Sequence, residues 1–302
     1  MYSEKLLYND VFLNEFGYYT LKNLPKDEDL KNYYKEKYYQ EAKGSYALCY
    51  TEEELKFFRV KLEQKLLLIN KHFSALPNSF LDIGSGEGYA LSFFQEKGFK
   101  VLGLDYSSAG IKAHNNDLLD CVIFGDLYDS INDLLKDSKR FDIINMDNLL
   151  EHVIDPKHLL EQVYKLLRED AIVIIKVPND FSILQKYFWE QGIIKKTHWI
   201  VPLDHISYFN KEGLVNLCKY VGLKCLDILG DQLIEFSAFN NNTNYFENKS
   251  AGKACHFARV RQEILFHNIS PQKTIELFRV FGEMGLGREI VGVFRKNTSF
   301  GL

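Results

Sequence analysis

Short apolar runs rich in β-branched residues alternate with stretches of helical spacing through the middle of the chain. Residues 80–83 read as a strand, 89–97 as a helix and 100–104 as a second strand. Further strands fit residues 121–124, 141–146 and 171–176, and a helix over 156–167 leads into the last of these. Asp155 before Pro156 supplies a capping carboxylate followed by a proline at the first helical position. Repeated strand, helix, strand units predict an α/β fold with right-handed crossovers and a mostly parallel sheet. Past Pro178 comes an aromatic and polar stretch to Asn210, then a helix over 211–221, a strand over 224–229 and a final strand over 289–294.

The flanks have a different pattern. Leu55, Phe58, Leu62, Leu66 and Ile69 recur at helical spacing, and Tyr33, Tyr34, Tyr38, Tyr39, Tyr46 and Tyr50 cluster before them. Residues 1–77 therefore read as a mostly helical lid or cap region, closed by Pro77-Asn78. Residues 78–229 form the core, and 289–302 carry the last core strand and the C-terminus. Between them, 230–288 read as a helical insertion: Phe257, Ile264 and Leu265 mark one helix, and Ile275, Phe278 and Phe281 a second that starts at Ser270-Pro271.

With 46% apolar and 26% charged residues among 302, the chain can bury a large core and is not expected to be disordered. A net charge of −4 gives no general attraction to phosphate backbones, so nucleic acid is not an expected partner. Cys49, Cys121, Cys218, Cys225 and Cys255 are scattered without a C-x-x-C pair, which predicts reduced, buried thiols and no metal cage. Glu4, Asp10 and Glu15 interrupt the first twenty residues, and no uncharged apolar run reaches spanning length. A cytoplasmic protein with no membrane partner is expected; the oligomeric state is left open.

The candidate chemistry begins at Leu81-Asp82-Ile83-Gly84-Ser85-Gly86-Glu87-Gly88, where the first core strand turns into a helix. Glycines at such a turn let the backbone approach a ligand closely. Asp82, at the strand end, would repel a pyrophosphate and attract the ammonium of a bound amino acid, as S-adenosylmethionine provides. Asp105 ends the second strand, where an acid accepts hydrogen bonds from ribose hydroxyls. Gly125-Asp126-Leu127 follows the third strand, where Asp126 is placed to accept from an adenine amine. Each acid alone has another reading, as the cap of the next helix.

On these residues the chain resembles the class I S-adenosylmethionine-dependent methyltransferases. Residues 141–144, then Leu150-Glu151-His152-Val153 and Asp155-Pro156, resemble the branch that includes ubiquinone-biosynthesis and sugar methyltransferases. The resemblance implies a Rossmann-like sheet of seven strands in the order 3-2-1-4-5-7-6, the seventh antiparallel, and the insertion over 230–288 departs from the usual tight join of the last two strands. It implies S-adenosylmethionine as cofactor, held by Asp82, Gly84, Ser85, Gly86, Gly88 and Tyr89, by Asp105, Tyr106 and Ser107, by Gly125, Asp126 and Leu127, and near Met146 and Asp147.

The acceptor is expected beyond the fifth strand, under Asn179-Asp180 and the segment carrying His198, Trp199, His205 and Tyr208. Similar Pro-Asn-Asp and His-x-x-Tyr-Phe patterns occur in methyltransferases found among surface-polysaccharide genes. The implied acceptor is a small polar molecule, nucleotide-linked or phosphorylated: a sugar, a sugar nucleotide or another glycan precursor methylated on oxygen or nitrogen. His205 is the first candidate base and His198 the second, with a loop-fixing role for His205 equally open; His152 reads as orienting structure beneath the donor. Tyr39, Tyr46 and Arg259 are further candidate acceptor contacts, the tyrosines as part of a lid and Arg259, with Arg261 and Arg288, for a phosphate or carboxylate. Two other readings stand beside this one, a non-catalytic sensor of the donor and a nicotinamide oxidoreductase. An amino-methyltransferase of nucleic acid would need Pro-Pro-Tyr where Asn148-Leu149-Leu150 stands.

Overall fold

A computed structural model describes residues 10–25, 49–73, 77–201, 204–231 and 233–297. In chain order its elements are β1 (Val11–Leu13), β2 (Tyr19–Leu21), α1 (Glu52–His72), β3 (Ser79–Ile83), α2 (Tyr89–Glu96), β4 (Lys100–Asp105), α3 (Ala109–His114), β5 (Val122–Phe124), α4 (Leu127–Lys136) and β6 (Phe141–Asp147). There follow α5 (Pro156–Leu166), β7 (Leu167–Pro178), α6 (Ile183–Glu190), β8 (Ser207–Tyr208), α7 (Lys211–Tyr220), β9 (Leu223–Gly230), α8 (Gly252–Ile269), α9 (Pro271–Glu283) and β10 (Glu289–Lys296). The main sheet runs β5-β4-β3-β6-β7-β10-β9, which is the expected 3-2-1-4-5-7-6 order. Strands β5 to β7 pair in parallel, and β10 is antiparallel to both β7 and β9.

Two apolar layers sandwich this sheet, and strand β7 shows why. Val173 and Ile175 face the layer formed with Leu159, Leu160, Val163 and Leu214, whereas Ile172 and Ile174 face Phe80, Leu91, Phe94 and Phe278. A strand buried on both faces must be apolar at every position, so it reads as a continuous run. Phe80 and Phe94 stack at 4.1 Å in the second layer. The helices begin as their sequences dictate: Asp155 accepts from the His158 N–H ahead of Pro156, and Thr51 and Glu54 form a reciprocal capping box on α1. The two insertion helices lie where expected, with the second capped by Ser270 before Pro271.

The opening region departs from its expected helicity. β1 and β2 form a hairpin whose turn is held by the Asn14 side chain, which accepts from the N–H groups of Phe16, Gly17 and Tyr18 at 3.0, 3.1 and 3.3 Å. Such local side-chain bonds compete with helix. β2 then pairs with β8, giving a second, three-stranded sheet that fastens the loop before α7. Gly213 permits the approach, since a Cβ there would lie 2.6 Å from the Tyr18 Cβ. The cysteines are all free, but only Cys218 and Cys255 are buried; Cys121 and Cys225 are half-buried and Cys49 is exposed. Among the described residues, no helix is long and apolar enough to cross a membrane.

Candidate active site

The carboxyl ends of the parallel strands open into a cavity of about 510 Å³. At one end lies the glycine turn after β3. Gly84, Gly86 and Gly88 all have positive φ, at 77°, 54° and 79°, and a Cβ at Gly88 would meet Ile111 at 3.0 Å. Only glycine adopts such a series without strain. The turn is further fixed by the Asp105 carboxylate, whose two oxygens accept from the Gly86 N–H at 2.7 Å and the Ser107 N–H at 2.9 Å.

Asp82 is 3% exposed and accepts from the Asn145 amide at 2.7 Å. Burial raises its pKa to about 7 despite that hydrogen bond, so an arriving cation would restore the charged form. Behind it, the Lys65 ammonium donates to Asn145 Oδ1 at 2.8 Å and to the Asp147 carboxylate at 2.5 Å. Burial works against the charge on Lys65 and lowers its pKa, while Asp147 is held below the usual carboxylate range because Lys65 and Lys176 outweigh its own desolvation. At the rim, Tyr50 donates to Glu87 at 2.7 Å and packs edge-on against Phe58 at 4.9 Å.

The other end is a wall of ionisable side chains drawn from several elements: Lys61 from α1, Lys176 from β7, Asp231 after β9, Arg259 from α8, and Arg288 and Glu289 at the start of β10. Burial lifts Asp231 to about 7, with Lys61 and Arg259 pulling the other way. Glu289 is driven down to about 2: desolvation opposes this, but Lys176, Arg259 and Lys61 prevail. Lys176 has ion-pair contacts at 3.7 Å to Glu289 and 4.0 Å to Asp147, and Arg259 one at 3.7 Å to Asp231.

Between these two ends sit Glu151, His152 and His205. Glu151 is fully enclosed, and burial raises its pKa to about 8. His152 Nδ1 lies 2.5 Å from the Asp204 carbonyl, and burial lowers this imidazole to about 4. The His205 ring is edge-on to it at 4.9 Å and 3.9 Å from the Asp180 carboxylate; burial opposes its protonation, but Asp180 and Glu151 raise its pKa overall.

The expected site residues divide accordingly. Asp82, Gly84, Ser85, Gly86, Gly88, Tyr89, Asp147, His205 and Arg259 reach the cavity wall together. Asp105, Tyr106, Ser107, Gly125, Asp126 and Leu127 lie at the adjoining ends of β4 and β5, and Asp126 also caps α4 by accepting from the Tyr128 N–H at 2.9 Å. Met146 points into the opposite apolar layer, because strand alternation gives the cavity face to Asn145 and Asp147.

Four expected acceptor contacts instead hold the wall from behind. Asn179 donates to the carbonyls of Gly285 and Gly287, both at 3.0 Å, and Asp180 faces His205. Tyr208 donates to the His205 carbonyl at 2.9 Å, and Trp199 packs edge-on against Phe181. His198 lies away from the cavity, stacked on Phe246 and 3.9 Å from Glu247. His152 is not beneath the donor turn but on the wall beside His205. Tyr39 and Tyr46 fall outside the described residues.

Arg288, a candidate acceptor contact, also reaches the wall, whereas Lys61, Lys65, Lys176, Asn145, Asp231 and Glu289 were not anticipated. Two carried a readable signal: Lys65 interrupts the apolar stripe of Leu62, Leu66 and Ile69, and Lys176 ends an apolar strand on the ligand-binding edge.

A family profile described as a methyltransferase domain matches residues 55–228, more than half of the chain, and the chain belongs to that family. It is a class I S-adenosylmethionine-dependent methyltransferase, as the sheet order and glycine turn also indicate. Among curated proteins it is similar to the ubiquinone biosynthesis O-methyltransferase of Coxiella burnetii (strain Dugway 5J108-111), 27% identical over 56% of this chain and 70% of that protein. The Pasteurella multocida (strain Pm70) protein of the same name is 24% identical over 50% of this chain and 67% of its own length. Among solved structures, the plantazolicin methyltransferase BpumL in complex with SAH shares the fold, with a TM-score of 0.51 at 17% identity, covering 89% of this chain and 94% of that one.

Proposed function

We propose that the chain transfers the methyl group of S-adenosylmethionine to an oxygen or nitrogen of a small polar acceptor, a sugar, sugar nucleotide or other glycan precursor. The observation carrying this reading is one cavity that joins the glycine turn to a densely charged wall. In it the donor's methionine end lies against Asp82 and Asp147, while its ribose and adenine extend toward Asp105 and Asp126 at the adjoining ends of β4 and β5. The acceptor then lies among Lys61, Lys176, Arg259, Arg288 and Glu289, with Phe57, Leu229, Phe278 and Val291 as apolar parts of the same lining. The O-methyl chemistry in the relatives' names supports oxygen as the methylated atom.

Methyl transfer is an in-line displacement, so alignment of the nucleophile behind the sulfonium supplies much of the rate. Glu151, His152 and His205 stand between the two ends, where the nucleophile would be held. Labelled methyl transfer to a panel of nucleotide-linked sugars and phosphorylated metabolites tests the reading. Product on at least one is expected; tight S-adenosylhomocysteine binding with no transfer to any would favour a donor sensor.

A further inference from the structure

We infer that Glu151, His152 and His205 form a binding site for a divalent transition-metal cation at the junction of the donor and acceptor halves, a site that rests on the proposed methyl transfer for its purpose but not for its existence. One ligand atom from each of the three residues lies within 4.8 Å of the others. Two ligands on opposite sides of such a cation stand roughly 4.2 Å apart, so small side-chain rotations close the set.

Three independent features favour a cation there. First, Glu151 is wholly enclosed, and neither carboxylate oxygen has a hydrogen-bond partner; His205 Nδ1 and Asp180 Oδ2 beside it are also buried without one. A carboxylate left in that state carries a desolvation cost of about 1–3 kcal/mol or more. Second, among the described residues no Lys or Arg neutralises the carboxylates nearest the group, Glu151, Asp180 and Asp204, at ion-pair distance; Lys176 and Arg288 act on Glu151 and Asp180 only from farther along the wall. Asp180 lies 3.9 Å from His205 and Asp204 3.9 Å from His152. Third, the Asp204 carbonyl can only accept, so His152 Nδ1 carries the proton and donates to it at 2.5 Å. The lone pair is then on Nε2, which faces Glu151 at 3.7 Å. Metal-bound histidines are oriented by this kind of bond from the other ring nitrogen to a backbone carbonyl. The donor set is held together by the backbone as well, since the Ile206 N–H donates to the Glu151 carbonyl at 2.8 Å.

Two imidazoles and one carboxylate with open positions suit Mn²⁺, Fe²⁺ or Zn²⁺ better than the oxygen-seeking Mg²⁺ or Ca²⁺. A cation held here takes the acceptor hydroxyl as a further ligand and makes its proton easier to lose. The proton leaves to solvent water in the open cavity. The new O–CH₃ bond forms as the S–CH₃ bond breaks, with the electron pair remaining on sulfur in S-adenosylhomocysteine.

The test uses the full chain after chelator treatment, titrated with Mn²⁺ alone and then Zn²⁺ alone by calorimetry, with paramagnetic resonance for Mn²⁺. One equivalent of at least one cation should bind saturably, at least about tenfold more weakly in Glu151→Gln and His205→Ala. The exposed His158→Ala should bind like the parent. S-adenosylhomocysteine affinity, measured in parallel, reports whether each variant is folded. Absence of saturable binding of either cation overturns the site, as does binding that survives Glu151→Gln in a folded chain. A parent chain that binds the cation but not S-adenosylhomocysteine would leave this site standing and overturn the proposed donor seat.

Discussion

The two ends of the cavity are built by different means. At the donor end, backbone does most of the shaping: three left-handed glycines within five residues, and a carboxylate anchored by two N–H groups. At the end proposed for the acceptor, the surface is made of side chains from α1, β7, α8 and β10, brought together only by the tertiary fold. A site shaped by local backbone leaves a compact trace in the sequence, whereas a site assembled from distant side chains leaves almost none. The two should therefore fail separately under mutation.

The sharpest separation is expected at His205. His205→Ala should lower turnover by about 10² or more while S-adenosylhomocysteine affinity stays within about twofold, as measured by steady-state kinetics beside calorimetry. A parallel loss of donor affinity would show that the two ends are not independent.

A residue belonging to neither end gives the next contrast. Asp227 is buried and bonded to Arg279 at 2.7 and 2.8 Å and to Lys71 at 2.9 Å. Asp227→Asn should cost roughly 3 kcal/mol of stability by denaturant titration, with donor affinity unchanged in the folded fraction. Burial raises the Asp227 pKa, but Arg279 and Lys71 outweigh it and hold it below the usual carboxylate range. Its stabilising contribution is therefore complete above the unfolded pKa and is lost as pH falls through the lower folded value. In acid titrations, the parent and Asp227→Asn should converge as pH falls below the lowered folded-state pKa.

Asp105→Ala should weaken donor binding by about tenfold or more, since it removes two anchors of the turn as well as the proposed ribose contact. Its acceptor KM should hardly move. The smallest effect is expected for Arg259→Gln, a rise in acceptor KM of about threefold to tenfold with donor affinity intact, because the neighbouring cations remain. An unchanged KM would remove Arg259 from acceptor recognition.

The same contrast explains what could be read from the sequence. Periodicity marked the strands and helices, the resemblance carried by the motif after β3 implied their order in the sheet, and Asp82, Gly84, Gly86 and Gly88 reach the cavity together. Met146 was one position off, because an apolar strand buried on both faces hides which residues face the ligand. Asn179, Asp180, Trp199 and Tyr208 lie on the right segment, but it turns so that they brace His205 rather than line the cavity. Glu289 was missed although the last strand was expected to be antiparallel, because direction alone does not give the register that sets its first residue level with Pro178, at the ligand-binding edge. The hairpin over residues 11–21 was missed because its strands are three residues each and its turn depends on one asparagine.

The position of β10 between β7 and β9 has a consequence for biogenesis. A ribosome releases this inner strand after its two neighbours, so both must wait with open hydrogen-bonding edges until residues 289–296 emerge. A nascent chain halted near residue 230 could already own its nucleoside seat, yet it would lack Arg259, Arg288 and Glu289 and hence any finished compartment for the second substrate.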